Sequence, residues 1–159
     1  MDKIKKTETE WKELLDVDTY NITRKSGTEP AFSGQYLNEK LQGVYYCVCC
    51  KNELFSSKTK YDSGSGWPSF YEIINNKNVF TKNDLSHGMS RIEILCAKCD
   101  SHLGHVFNDG PDPTGKRYCV NSLSLKLKNL KLNGRNCLMK KHIILQENQE
   151  QNLHFLVNI

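Results

Sequence analysis

Residues 96–127 read "CAKCDSHLGHVFNDGPDPTGKRYCVNSLSLKL" and carry a cysteine pair, two histidines and a lone cysteine. Turn-forming residues crowd positions 108–116, and the run after them alternates polar and apolar side chains, which is typical of a half-buried strand. This alternation places Arg117, Cys119 and Asn121 on one strand face. Free cysteine usually packs as a small apolar residue, so a thiol between a guanidinium and an amide indicates chemistry.

The chain before this stretch has the same texture from about residue 17. Short β-branched and aromatic runs alternate with loops rich in Gly, Pro, Asn, Asp and Ser, which predicts a mainly β, mostly antiparallel domain. Upstream, "TETE" forms a capping box with Thr7 as N-cap and Glu10 at N3, and predicts one short helix. We therefore divide the chain into an N-terminal helical segment (1–18), the β domain (19–128) and a C-terminal extension (129–159) of unknown role, rich in Asn, Gln and Lys.

The bulk composition favours one globular domain. The chain has 159 residues, of which 38% are hydrophobic and 25% charged, and this composition excludes disordered and fibrous classes. A formal net charge of +4 with scattered lysines argues against nucleic acid as a partner. No stretch reaches the ~20 apolar residues of a membrane span. The early acidic residues and the missing apolar core of a signal peptide lead us to expect a cytoplasmic protein.

Four cysteines stand in two C-x-x-C pairs, Cys47 with Cys50 and Cys96 with Cys99. Two such pairs complete a tetrahedral shell around one Zn²⁺, and a closed shell is structural. The gap between the pairs exceeds the ~15–20 residues of a common zinc ribbon, so the metal would join distant parts of the chain. A redox dithiol or two pairs of buried cysteines remain alternatives, and Cys49 competes with Cys50 as a ligand.

His102 and His105 follow the second pair directly. Histidine has the unperturbed pKa best suited to proton transfer near neutrality. One alternative is a mixed zinc site of C-x-x-C and H-x-x-H, which would make the chain a zinc-ribbon module that binds protein or nucleic acid. Four cysteines already fill a tetrahedron, however, which leaves both histidines free for catalysis or for an ordinary structural role.

The chain closely resembles the B-type methionine-R-sulfoxide reductases over residues 19–128. The matching segments are "GTEPAFSGQY" (27–36), "CVCCKNELF" (47–55), "YDSGSGWPSFY" (61–71), "SHGMSRIE" (86–93) and residues 96–127. The resemblance implies a small barrel-like domain of two antiparallel sheets (Mss4-like) with one structural zinc. It also implies reduction of the R-epimer of methionine sulfoxide, expected to be protein-bound, in the repair of oxidatively damaged proteins.

The resemblance assigns roles to individual residues. It makes Cys119 the nucleophile, His102 and His105 the acid and substrate-positioning histidines, Arg117 and Asn121 supporting polar partners, and Trp67 an aromatic wall for the substrate, although Trp67 could also be a core residue. We expect Arg117 to lower the pKa of the Cys119 thiol, since a thiolate is the reactive form. Attack on the sulfoxide would leave a sulfenic acid on Cys119.

The chain departs from the family pattern at position 65. Many members carry a resolving cysteine at the variable position of S-G-x-G-W-P-S-F, and Ser65 stands there. Three routes could reduce the sulfenic acid: thioredoxin or another external thiol, Cys49, or Cys137 from the extension. The physiological reductant stays open at this point. We expect a monomer that acts on oxidised proteins, with a zinc-binding module and a thiol redox sensor as the rival functions.

Overall fold

The computed structural model describes residues 2–130, and this part of the chain is mainly β. Two short helices come first, α1 (Glu8–Leu14) and α2 (Val17–Arg24). Nine strands follow: β1 (Gly43–Cys47), β2 (Glu53–Ser56), β3 (Lys60–Tyr61), β4 (Ser69–Phe70), β5 (Val79–Asp84), β6 (Arg91–Cys96), β7 (His102–Phe107), β8 (Arg117–Val120) and β9 (Leu125–Asn129). They form two sheets in the orders β2-β1-β9 and β3-β4-β8-β7-β6-β5, every pair antiparallel. The predicted mainly β fold of two antiparallel sheets is confirmed.

The capping box at the start of α1 is present as the sequence predicts. The Thr7 hydroxyl accepts from the Glu10 backbone N–H at 3.2 Å, and the Glu10 carboxylate accepts from the Thr7 N–H at 2.8 Å. The second helix, α2, was not predicted, and the boundary drawn between residues 18 and 19 falls inside it. Its sequence, VDTYNITR, has β-branched residues at four of eight positions and therefore a weak helical signal. Burial of one face, including Tyr20 and Ile22, supplies the missing stabilisation.

The larger sheet uses its two faces for different purposes. One face carries Phe70, Tyr118 and Val106 into the core, where Phe70 stacks on Phe55 of the smaller sheet with ring centroids 4.4 Å apart. The opposite face carries a row of polar side chains whose backbones are paired strand by strand, Ser69 with Cys119, Cys119 with His105, and His105 with Glu93. Because side chains alternate across a strand, the core face fixes this row as well.

Gly104 allows β7 to approach β8 closely between the two histidines. A Cβ at this position would lie 1.9 Å from the Cys119 carbonyl oxygen, so any larger residue would push the two strands apart. Within residues 2–130, no helix is both long enough and apolar enough to cross a bilayer. Cys137 and nearly all of the extension lie outside the described residues.

Candidate active site

A group of four cysteines joins the two sheets. The sulfur atoms of Cys47, Cys50, Cys96 and Cys99 all lie within 4.8 Å of one another. The Sγ atoms of Cys47 and Cys99 are 3.6 Å apart, and those of Cys50 and Cys96 are 3.5 Å apart, so each contact links one pair to the other. This arrangement could hold a metal ion. The structure includes Cys50 in the group and leaves out Cys49, which answers the ligand choice that the sequence left open.

The two cysteine pairs lie on turns of the same construction. In the first turn, Cys47 N–H donates to Asn52 O at 2.8 Å and Lys51 N–H donates to Cys47 O at 2.8 Å. The second turn repeats both bonds, from Cys96 N–H to Ser101 O and from Asp100 N–H to Cys96 O, each at 2.9 Å. Lys51 and Asp100 have φ of 62° and 59°. The left-handed conformation costs about 1–2 kcal/mol per residue, and it directs both sulfurs of each pair to one point.

Neither histidine joins this group. The mixed zinc site of two cysteines and two histidines is therefore wrong, because all four ligand positions belong to cysteines within the described chain. Both histidine rings pair with carboxylates instead. His102 Nδ1 lies 2.7 Å from Glu93 Oε1, and His105 Nε2 lies 2.7 Å from Asp84 Oδ2.

A cavity of about 280 Å³ lies over the polar row of the larger sheet. Cys119 is half-buried in its wall, and His105, Arg117 and Asn121 line it with Trp67 from the "SGWPSF" loop. The complete lining is Thr28, Ser65, Trp67, Arg91, Gly104, His105, Phe107, Arg117, Cys119, Val120 and Asn121. The structure thus brings five of the six predicted catalytic and substrate-binding residues to one cavity. The sixth, His102, is only 2% exposed and lies beside it, its ring centroid 5.6 Å from that of His105.

The electrostatic surroundings of Cys119 correct one expectation. Burial raises the pKa of the Cys119 thiol, although a hydrogen bond from Ser65 and the charge of Arg117 act in the opposite direction. Arg117 does not act alone, because its guanidinium makes a two-pronged ion pair with Asp109, with N–O distances of 2.9 and 3.1 Å. The negative charge of Asp109 also raises the pKa of Cys119. In the absence of substrate, the sulfur is therefore held as a thiol, and the expected lowering of its pKa by Arg117 is wrong.

His102 is held neutral more strongly than the sequence indicates. Burial lowers its pKa, and the opposing effect of Glu93 does not compensate. With Nδ1 donating to Glu93, the other nitrogen, Nε2, is buried and has no hydrogen-bond partner among residues 2–130. A neutral, buried imidazole is better suited to shaping the site than to delivering a proton.

Asn121 and Trp67 are both tied to Glu29, a residue that sequence reasoning missed. Asn121 Oδ1 accepts from Glu29 N–H at 3.1 Å, and its Nδ2 donates to Leu103 O at 3.3 Å. Trp67 Nε1 donates to Glu29 O at 3.0 Å, which leaves the indole ring available to the cavity. The buried Glu29 carboxylate accepts from the backbone N–H groups of Ser122 and Leu123 at 2.6 and 3.2 Å.

The hydrogen bonds of Asn121 therefore run to backbone groups, and this amide sets the position of the Glu29 strand segment rather than that of the thiol. Glu29 lies in the quoted segment "GTEPAFSGQY", which was the available signal. Its partners stand more than 90 residues away in sequence, so no local pattern could name them.

Position 65, where the family pattern expects a second cysteine, faces the thiol directly. Ser65 Oγ lies 3.9 Å from Cys119 Sγ. No other cysteine lines the cavity, and all six cysteines of the described chain are free. Cys49 is half-buried beside the four-cysteine group and so does not face Cys119.

Comparison with known proteins agrees with this geometry. The SelR domain family model matches residues 15–129. A peptide methionine sulfoxide reductase MsrB of Acinetobacter baylyi is 62% identical over 128 residues, covering 80% of this chain and 92% of the relative. The MsrB of Pseudomonas syringae pv. syringae is 58% identical over 127 residues, covering 80% and 97%, and that of Pseudomonas fluorescens is 57% identical over 127 residues, covering 80% and 98%. The chain therefore belongs to the SelR domain family, the methionine-R-sulfoxide reductases of the B type.

Proposed function

We propose that this protein reduces the R-epimer of methionine sulfoxide in oxidised proteins to methionine, with Cys119 as nucleophile. The observation that carries the proposal is the cavity in which a half-buried thiol, an imidazole and an indole face a common space. Its volume of about 280 Å³ suits a single side chain rather than a large ligand. Family membership and three relatives named as methionine sulfoxide reductases support the same reaction.

In the net reaction one oxygen atom moves from the substrate to Cys119. The S–O bond of the sulfoxide breaks, an S–O bond forms on Cys119 Sγ, the substrate sulfur gains two electrons and the cysteine sulfur loses two. The proton of the thiol ends on the sulfenic acid oxygen, so no external proton is consumed. Because the thiol is protonated in the free protein, a base must take this proton and return it to the departing oxygen.

We assign this proton transfer to His105. The ring lines the cavity, and its backbone is paired with that of Cys119 across β7 and β8. His102, held neutral under the sheet face, is assigned a positioning role through its hydrogen bond to Glu93. Arg117 is assigned to orientation of the substrate rather than to activation of the thiol, since Asp109 neutralises its charge.

Trp67 is proposed to hold the methyl group of the substrate. Its indole N–H is already bonded to Glu29, so the ring meets the substrate through its apolar face. An aromatic face also favours the partial positive charge that develops on the sulfur as its oxygen is protonated.

We propose one structural zinc ion bound by Cys47, Cys50, Cys96 and Cys99. Four sulfurs at tetrahedral positions about 2.3 Å from zinc lie about 3.8 Å apart, which is close to the 3.5 and 3.6 Å contacts of the free thiols. When bound, zinc supplies a crosslink and no chemistry, because four cysteines leave it no open position. Cysteines reserved for metal and catalysis fit a reducing compartment, and we propose the cytoplasm.

Reduction of the sulfenic acid is proposed to come from outside the cavity. Thioredoxin or another dithiol would attack Cys119 Sγ, release water and leave as its own disulfide. The serine at position 65 and the absence of another cysteine from the lining support direct attack over an internal disulfide. Cys137 stays a hypothetical resolver and lies outside the described residues.

Turnover on separated epimers of N-acetyl-methionine sulfoxide, with dithiothreitol as reductant, tests the proposal. We expect wild type to consume the R-epimer repeatedly and leave the S-epimer, and Cys119→Ser to consume neither. Cys49→Ser is the matched control, because Cys49 lies outside both the cavity and the four-cysteine group. Full activity of Cys119→Ser, or equal consumption of both epimers, would contradict the assignment.

A further inference from the structure

Asp84 is the last residue of β5 and points its carboxylate at His105. Asp84 Oδ2 lies 2.7 Å from His105 Nε2, and the carboxylate side chain is 17% exposed. Two other groups hold this carboxylate in place. Arg91 Nη2 lies 3.3 Å from Oδ2, and the Ser86 backbone N–H donates to Oδ1 at 2.9 Å.

The β5–β6 hairpin explains why Asp84 and Arg91 meet. Their backbones are the last paired positions of the two strands before the connecting loop. The loop turns sharply through His87 and Gly88, which have φ of 57° and 67°. Arg91 lines the cavity with His105, so this hairpin reaches the site from the side opposite Ser65 and Trp67 in the strand order of the sheet.

A carboxylate only accepts hydrogen bonds, and this fixes the hydrogens of the imidazole. Nε2 must carry a hydrogen in both the neutral and the protonated ring, since it lies at hydrogen-bond distance from Asp84. The proton that comes and goes is therefore the one on Nδ1. Among residues 2–130, Nδ1 of His105 makes no hydrogen bond, and the ring lines the cavity that contains Cys119.

We propose that Asp84, clamped by Arg91, is a positioning residue that keeps Nδ1 of His105 free to shuttle the proton of the reaction. This inference rests on the proposed function. Nδ1 of the neutral ring takes the proton from the Cys119 thiol, Sγ attacks the sulfoxide, and Nδ1–H returns the proton to the sulfoxide oxygen. The Nε2–H bond to Asp84 persists throughout, and the ring ends neutral as it began.

The Asp84→Asn variant changes this arrangement with little change in shape. Its amide oxygen can still accept from Ser86 N–H, while its NH₂ group faces Nε2 and favours the opposite tautomer, with the hydrogen on Nδ1. General acid–base catalysis contributes 10²–10⁴-fold, so we expect kcat to fall by about 100-fold with KM changed less than about threefold. Asp84→Glu, which restores an acceptor, should recover much of the loss.

Asp62→Asn is the matched control. Its carboxylate accepts from the Gly64 backbone N–H at 2.9 Å, the same two-residue turn contact that Asp84 makes with Ser86, and Asp62 has no histidine partner in the described chain. We expect this variant to retain wild-type kcat and KM.

A double-mutant cycle separates positioning from general structural damage. If Asp84 acts through His105, adding Asp84→Asn to His105→Asn should lower kcat no further. Equal loss in both backgrounds would overturn the proposal, and so would wild-type kcat in Asp84→Asn.

The ¹⁵N shifts of the His105 ring in wild type give a readout that needs neither activity nor a folded variant. We expect the Nε2–H tautomer, and a dominant Nδ1–H tautomer would overturn the proposal. An inactive wild type with the expected tautomer would instead contradict the proposed function, so the two failures are distinguishable.

Discussion

Ser65→Cys should convert this protein from external reduction to an internal disulfide. Ser65 Oγ lies 3.9 Å from Cys119 Sγ, and serine and cysteine side chains have the same number of atoms. A disulfide needs an S–S bond of about 2.05 Å, which a modest movement of the "SGWPSF" loop would allow. After one turnover the introduced thiol should attack the sulfenic acid on Cys119, release water and close a disulfide between positions 65 and 119.

The size of the effect on stability follows from the length of chain enclosed. The two positions are 54 residues apart, and closing a loop of this length in the unfolded state costs it about 4 kcal/mol at 25 °C. For a domain of this size, that stabilisation raises Tm by roughly 10–15 °C. We therefore expect the oxidised variant to melt well above the same variant after reduction, while wild type shows no such difference.

The chemical assay is a single turnover without reductant, followed by dimedone, which labels sulfenic acids. Wild type should carry one label at Cys119, and Ser65→Cys should carry none and be lighter by two hydrogens than its reduced form. Ser33→Cys is the control, because Ser33 is exposed and outside the cavity, and it should be labelled as wild type is. Persistent labelling of Ser65→Cys, or a disulfide mapped to other cysteines, would refute the geometric reasoning.

Three further predictions concern the metal, the thiol and the buried histidine. Chelation, or Cys96→Ser, should unfold the domain, because structural zinc contributes up to ~10–16 kcal/mol in small domains; circular dichroism that stays native after metal removal would contradict this. Arg117→Ala should raise and Asp109→Asn should lower the pKa of Cys119, read from the pH dependence of alkylation by iodoacetamide; shifts in the same direction would argue against compensation of the two charges. Because burial lowers the pKa of His102, the unfolded chain binds its proton first as pH falls below about 6.5, and stability is lost with a slope approaching ~1.4 kcal/mol per pH unit. Urea denaturation from pH 7 to 5 should show this slope in wild type and a flatter one in His102→Gln.

Local sequence patterns were sufficient where neighbours along the chain determine the outcome. The capping box of Thr7 and Glu10 involves residues three apart, and both of its hydrogen bonds form as the sequence predicts. The strand alternation around Cys119 likewise needs only the period of a β-strand, although β8 ends at Val120 and Asn121 lies just beyond it. In contrast, α2 was missed because its helical preference is weak and burial against the sheet decides its conformation.

The behaviour of the site residues depended on contacts that no local pattern contains. Glu29 lies 92 residues from Asn121, and Asp84 lies 21 residues from His105. The charge of Arg117 was readable from the sequence, but its neutralisation by Asp109 was not, and this changed the expected state of Cys119.

The sequence by itself determined which chemical groups are present, the periodicity of the strands and the cysteine pairs that could bind a metal. Only the tertiary structure decided which nitrogen of His105 is free, that His102 is neutral, and that Cys119 is held as a thiol. The physical reason is that strand and cap propensities arise from adjacent residues, whereas a pKa or a tautomer depends on every charge, dipole and loss of solvent around the group in space.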